Sequence, residues 1–378
     1  MEVAEAVALP TFITRRLGQS GYNRRIGNGL KKAWTNADER PIELSDLRAV
    51  VFSDHHRGKG DLADDFSRCE QAYCAALGYY LEEHFELWLL GDVEELWENR
   101  PKRVLQHYDN VLELERAFGD GLTRFYGNHD MAWHRRKEVD RLLASRLPAN
   151  LEIHEALKIE ITDNGKPLGT LFLTHGHQGT IDSGNLLVVP LSRLAVRVFW
   201  GTLQRWRGFA STSPATNWLL RGKHDRAMAA WADARPERLI LVSGHTHNPV
   251  FPDTRPRDFE AEAEVAEAAY QLARESGVDL PRARAERELA NVRALRAKVY
   301  VPPPLTHPSY FNTGCCSFGD GDITGLEFSD CKVRLVRWLE DGGNAFAQEL
   351  EAPRDLRELF GNVTGTAPAS GRAGSGDE

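Results

Sequence analysis

Five times along this chain a short apolar run is cut off by glycine beside aspartate, asparagine or histidine. Ala49-Val50-Val51-Phe52-Ser53 stops at Asp54-His55-His56-Arg57-Gly58, and Phe85-Glu86-Leu87-Trp88-Leu89-Leu90 stops at Gly91-Asp92. Thr123-Arg124-Phe125-Tyr126 leads into Gly127-Asn128-His129-Asp130, and Thr170-Leu171-Phe172-Leu173-Thr174 into His175-Gly176-His177. Arg238-Leu239-Ile240-Leu241-Val242-Ser243 leads into Gly244-His245-Thr246-His247. Short apolar runs bounded by turn residues read as buried strands, and in open α/β sheets ligand sites gather at the carboxyl ends of strands. Glycine there lets the backbone turn sharply and frees the polar side chains to converge. The pattern predicts an α/β fold with five loops meeting at one polar centre.

The framework is expected to begin at Leu47, with helices over Glu70 to His84 and Val104 to Ala117 and closing strands near Ile323 to Phe328 and Val333 to Trp338. Residues 1–46 precede it. Within them, 11–37 form a polar, Gly-rich basic arm (Arg15, Arg16, Arg24, Arg25, Lys31, Lys32), either a solvated lead-in or a contact for an anionic partner. Residues 47–345 are taken as one domain with two insertions. The first, 181–236, interleaves apolar residues with arginines and suits a cap. The second, 258–299, reads as a charged helical hairpin with an acidic first half and a basic second half, a scaffold or partner surface. Residues 361–378 are rich in Gly, Ser, Thr, Ala and Pro and read as a disordered tail.

A net charge of -8 argues against indiscriminate nucleic-acid binding by the whole surface, while the arm and cap keep a local basic contact open. The odd count of five cysteines reads as free thiols in a reducing compartment. Met1 to Phe12 lacks the basic start of a signal peptide, and no apolar run approaches the roughly 20 residues of a membrane span. The expected location is the cytoplasm, with attachment to a membrane surface through the cap as an option.

Asp54, His56, Asp92, Asn128, His175, His245 and His247 offer four imidazoles, two carboxylates and an amide oxygen. This mixture suits divalent metals such as Mn, Fe, Co, Ni or Zn. Seven ligands exceed the needs of one ion but suit two, and a carboxylate can bridge two ions about 3.5 to 4 Å apart. In an extended segment residues i and i+2 face the same side, so Asp54 with His56, and His245 with His247, can each reach one centre. Each motif alone is weak, and Asn128 could equally be a turn residue.

Taken together, Asp54-x-His56, Gly91-Asp92, Gly127-Asn128-His129-Asp130, His175-Gly176 and Gly244-His245-Thr246-His247 resemble the motif set of the calcineurin-like metallophosphoesterases. The resemblance covers roughly residues 47–250 with the closing strands to about 340, and it implies a four-layer α-β-β-α sandwich of two mixed sheets. It implies one ion held by Asp54, His56 and His247, a second by Asn128, His175 and His245, and Asp92 between them. It implies two divalent ions, Mn first among the choices, and hydrolysis of phosphomonoesters or phosphodiesters by in-line attack of a metal-activated hydroxide. His129 would assist the leaving group, oriented by Asp130 or another nearby acid. Arg57 would either clamp a phosphate oxygen or form a fold-stabilising ion pair.

Asp54-His55-His56-Arg57-Gly58, Gly91-Asp92-Val93-Glu94-Glu95-Leu96-Trp97 and the 181–236 insertion are also similar to UDP-2,3-diacylglucosamine hydrolases, which cleave a pyrophosphate beneath a helical cap. His175-Gly176-His177 departs from the His-Gly-Asp usual there, and the arm and hairpin have no counterpart. A nuclease and a metal-bearing scaffold with vestigial catalysis are the other readings. The oligomeric state is not encoded in any motif.

Overall fold

The computed structural model describes residues 19–180, 218–251, 259–277, 282, 284–286, 289, 309–341 and 344–362. Two mixed sheets stack face to face between layers of helices. In the first, β2 (Ala49–Phe52), β3 (Glu86–Leu90), β4 (Leu122–Phe125) and β5 (Ile153–His154) run parallel. Beyond β2 the sheet continues antiparallel through β11 (Ile323–Ser329), β12 (Lys332–Asp341) and β13 (Asn344–Glu349), with β14 (Arg354–Asp355) also on β12. The second sheet has the order β1 (Asp38–Glu43), β6 (Ala156–Asp163), β7 (Lys166–Thr174), β8 (Leu239–Ser243), β10 (Tyr310–Thr313) and β9 (Pro249–Val250).

Strict alternation along the strands builds the layers, because successive side chains leave a strand on opposite faces. Ala49 and Val51 of β2 and Trp88 and Leu90 of β3 point into the space between the sheets. There they meet Ile159, Leu171, Leu173, Ile240 and Val242 of the second sheet. Their neighbours Val50, Phe52, Leu87 and Leu89 pack outward on Tyr73, Leu77 and Tyr80 of the Glu70–Glu82 helix and on Val104 and Val111. On the far side Phe172, Leu239 and Leu241 pack outward on Ile26 and Leu30 of the Gln19–Asn36 helix and on Met228 of the Trp218–Asp233 helix. This is the expected α-β-β-α sandwich.

Several details differ from the expectation. The ordered framework starts well before Leu47: the segment read as a solvated arm forms the Gln19–Asn36 helix and β1, which pairs in parallel with β6. The single helix expected over Val104 to Ala117 is two, Pro101–His107 and Asp109–Arg116. Gly361 and Asn362, assigned to the tail, end the Leu356–Asn362 helix. The acidic half of the hairpin is helical over Phe259–Ser276. Most of its basic half, residues 181–217 of the cap and the tail beyond 362 lie outside the described residues. All five cysteines are free thiols. Among the described residues no helix is long and apolar enough to cross a membrane.

Arg57 corrects a functional expectation. It follows His56 by one position, where the chain bridges to Glu94 beyond β3, and its side chain turns into the core. The guanidinium is buried, pairs with Glu115 and lies 5.1 and 5.2 Å from the ring centres of Phe66 and Tyr73. Tyr73 also donates to Glu115, at 3.0 Å. Arg57 therefore holds the helical layer to the sheet and does not face a substrate. Glu115→Ala would strand a buried guanidinium, and removing one partner of such a pair costs about 3–5 kcal/mol. Urea unfolding of the variant should show a loss of that size, and an unchanged midpoint would contradict this role.

Candidate metal centre

Each motif loop leaves the carboxyl end of its strand: Asp54 and His56 follow β2, Asp92 follows β3, and Asn128 follows β4. His175 follows β7, and His245 and His247 follow β8. Since β2 to β4 belong to one sheet and β7 and β8 to the other, the loops close over the end of the inter-sheet core. Backbone bonds fix the first two loops together, with Asp54 N on Gly91 O at 3.1 Å, His56 N on Asp92 O at 2.9 Å and Arg57 N on Val93 O at 3.0 Å.

The backbone at these positions is strained. Asp54, His56, Asp92, His245 and His247 all have φ between 50 and 71°. Non-glycine residues rarely occupy that left-handed region, and where they do the strain concentrates at functional sites. Gly127 is required by space: a Cβ there would overlap Asp92 Oδ1.

Three overlapping groups of side chains have ligand atoms within 4.8 Å of one another: Asp54, His56 and His247; His56, Asp92 and His129; and Asp92, His175 and His245. The carboxylates are arranged alike. Asp54 Oδ2 accepts from His245 N at 2.8 Å and from Ser53, leaving Oδ1 towards His247 Nε2 at 3.2 Å. Asp92 Oδ1 accepts from His129 N at 2.7 Å, leaving Oδ2 at 3.2 Å from His175 Nε2 and 3.9 Å from His56 Nε2. In each, one oxygen is spent on a backbone amide and the other faces the histidines.

The polar atoms fit a bound cation. His175 Nδ1 lies 2.8 Å from Leu90 O, an obligate acceptor, so Nδ1 carries a proton and Nε2 is the nitrogen turned on the Asp92 carboxylate. His56 Nδ1 lies 3.2 Å from Glu95 Oε2, and its Nε2 lies 3.1 Å from His247 Nε2. Asp54 Oδ1, Asn128 Oδ1 and His175 Nε2 are buried without a hydrogen-bond partner, an arrangement that is costly unless something positive lies between them. Histidine ligands held through their other nitrogen by a carbonyl or carboxylate are the usual support of a metal site.

The electrostatics agree. Burial disfavours charge on His175, yet the carboxylates of Asp92 and Asp54 raise it to about 9. Burial likewise pushes Asp54 up, but the surrounding histidines hold it well below the usual carboxylate range. The carboxylates thus call for positive charge at their centre, which divalent ions would supply.

His129 is set apart from the other histidines. Its ring stacks on Trp97, 4.3 Å between centres at 14°, and its Nδ1 lies 2.5 Å from Glu95 Oε2. Trp97 Nε1 is tied to Asn128 O at 2.7 Å. Asp130, the first acid expected to orient this ring, instead accepts from Gly127 N at 2.6 Å and Val93 N at 2.9 Å, and so joins two of the loops. Glu95 is the orienting acid, and sequence reasoning did not single it out. Its signal was present in the Gly91 to Trp97 stretch, where the strand end turns Glu95 and Trp97 back over the centre.

His177, which departs from the hydrolase pattern, is buried beside His175 with ring centres 5.3 Å apart, and burial lowers it to about 3. No protein-family model matches the chain, and a search of curated proteins returns no match. The geometry therefore stands on its own: buried Asp/His clusters, at the converging strand ends of two stacked sheets, arranged to bind metal ions.

Proposed function

We propose that this protein is a two-metal phosphoesterase of the calcineurin-like class, hydrolysing phosphomonoesters or phosphodiesters. The observation that carries the reading is the run of overlapping ligand groups, joined at His56 and at Asp92, together with the orientation of His129 by Glu95 and Trp97. Asp54, His56 and His247 would hold one ion, Asn128, His175 and His245 the other, and Asp92 would serve both. Divalent ions bound there supply positive charge for the phosphoryl oxygens and lower the pKa of water.

The chain's own residues do the rest. With Nδ1 committed to Glu95, His129 has Nε2 left for the leaving-group oxygen, and the Trp97 stack keeps the ring in one plane. Burial opposes charge on His129, but Glu95 and Asp92 together raise it above the ordinary histidine range, as a proton donor requires. The histidine, carboxylate and amide donors suit Mn, Fe, Co, Ni and Zn alike, and manganese is the metal to try first.

A narrower reading, cleavage of the pyrophosphate in a UDP-linked diacylated sugar, is favoured by the residues around Asp54 and the Gly91 to Trp97 stretch. Four substrates given to Mn-reconstituted protein test both readings: an aryl phosphomonoester, an aryl phosphodiester, a cyclic nucleotide and detergent-solubilised UDP-diacylglucosamine. Turnover of the simple esters is the expected result, selective turnover of the last would establish the narrower reading, and turnover of none would overturn both.

A further inference from the structure

The helix that the sequence hid in a polar arm reaches the metal centre through a relay of buried groups. Tyr22 of the Gln19–Asn36 helix places its hydroxyl 2.9 Å from His224 Nδ1, and His224 Nε2 lies 2.8 Å from Gly176 O. A carbonyl can only accept, so Nε2 must carry the proton. In the neutral ring Nδ1 is then an acceptor, and Tyr22 is the donor. The direction of the relay is fixed: Tyr22 O–H to His224 Nδ1, then His224 Nε2–H to Gly176 O.

His224 touches both histidine loops of one half of the centre. Its hydrogen bond fixes the peptide that follows His175-Gly176. Its ring meets His245 edge to face, with centres 5.2 Å apart at 64°. The next residue in the Trp218–Asp233 helix, Asp225, accepts from Thr246, which lies between His245 and His247, at 3.0 Å. The Gln19–Asn36 helix grips the same loop a second time: Arg25 Nε donates to Gly179 O at 2.9 Å. Gly29 lies so close to Gly179 that a Cβ would strike its backbone.

We infer that Tyr22 and His224 are positioning residues for the Asp92–His175–His245 half of the centre. Tyr22 anchors the ring of His224 through Nδ1, and His224 holds the His175 and His245 loops at one spacing. This rests on the reading of the centre as a metal site. Tyr22→Phe takes away the hydrogen-bond partner of His224 Nδ1, so that the ring is held by Gly176 O at one nitrogen and has an unpaired, buried acceptor at the other. Loss of such an outer partner lowers metal affinity roughly 10–100-fold. The Asp54–His56–His247 group, which the relay does not contact, should keep its affinity.

Calorimetric titration of chelator-stripped full-length protein with Mn²⁺ tests this. Wild type should bind at two sites. Tyr22→Phe should weaken one of them roughly 10–100-fold and leave the other unchanged. His224→Leu, which fills the space without a donor, should do the same, whereas His224→Gln, whose amide can still donate to Gly176 O, should recover most of the loss. A packing role alone would not separate Gln from Leu. Should His224→Leu fail to fold, Tyr22→Phe against wild type decides. Superimposable isotherms, or equal weakening of both sites, would overturn the inference while leaving the metal centre standing. Absence of Mn²⁺ binding by wild type would overturn the metal centre itself, and the inference with it.

Discussion

His129→Ala should keep its metal and lose turnover by about 10²–10⁴-fold, the usual contribution of a positioned general acid. The separation of the two effects is the diagnostic part. The His129 ring is held by Glu95 and Trp97 rather than by the carboxylates alone, so its removal leaves Asp54, Asp92 and the other histidines in place. The loss should grow as the leaving group becomes more basic, because a good leaving group departs without a proton and a poor one does not. Measuring kcat for a series of aryl phosphates of graded leaving-group pKa, beside metal analysis of the same preparations, checks both halves. A variant that loses its metal would show that His129 is a ligand and that the group it forms with His56 and Asp92 is one that binds.

Asp92→Ala should produce the opposite pattern. Its Oδ2 lies near histidines of two different ligand groups, His175 at 3.2 Å and His56 at 3.9 Å. Removing it deprives both ions of a shared negative charge and leaves the His129 amide without its acceptor. Affinity should fall at both positions, by more than the roughly 10–100-fold that loss of an outer partner costs. Metal content measured after desalting should drop from about two ions per chain to fewer than one, with turnover falling in parallel. Retention of both ions would remove Asp92 from the centre.

The centre was legible because its chemistry is written at strand ends, where residue type and glycine spacing are both informative. Asp54, His56, Asp92, Asn128, His175, His245 and His247 were named from that pattern and fall in adjoining loops at one end of the sandwich. Direction was less legible. Arg57 sits next to His56 in sequence, but its side chain turns into the core, where its charge serves Glu115. Asp130 adjoins His129 in sequence, yet the fold spends both its oxygens on backbone amides, and the nearby acid that meets the ring is Glu95.

The N-terminal region failed for a different reason. Tyr22, Ile26, Leu30, Ala33 and Trp34 do recur with helical spacing, but Gly21 before them and Gly27 and Gly29 between them imitate a loop. Gly29 is there because the Gly179 backbone presses against it, a contact across 150 residues that no local pattern contains. The strand β1 was hidden by its composition, Asp38-Glu39-Arg40-Pro41-Ile42-Glu43, which is that of a largely exposed sheet edge where proline is tolerated.

The most direct test of the whole account is a metal titration read by turnover. Chelator-stripped protein is titrated with Mn²⁺ while hydrolysis of an aryl phosphodiester and an aryl phosphomonoester is followed. The account predicts no turnover without metal, and a rise that levels off at about two ions per chain. Turnover that is independent of metal, or none at any ratio of Mn²⁺, would contradict it.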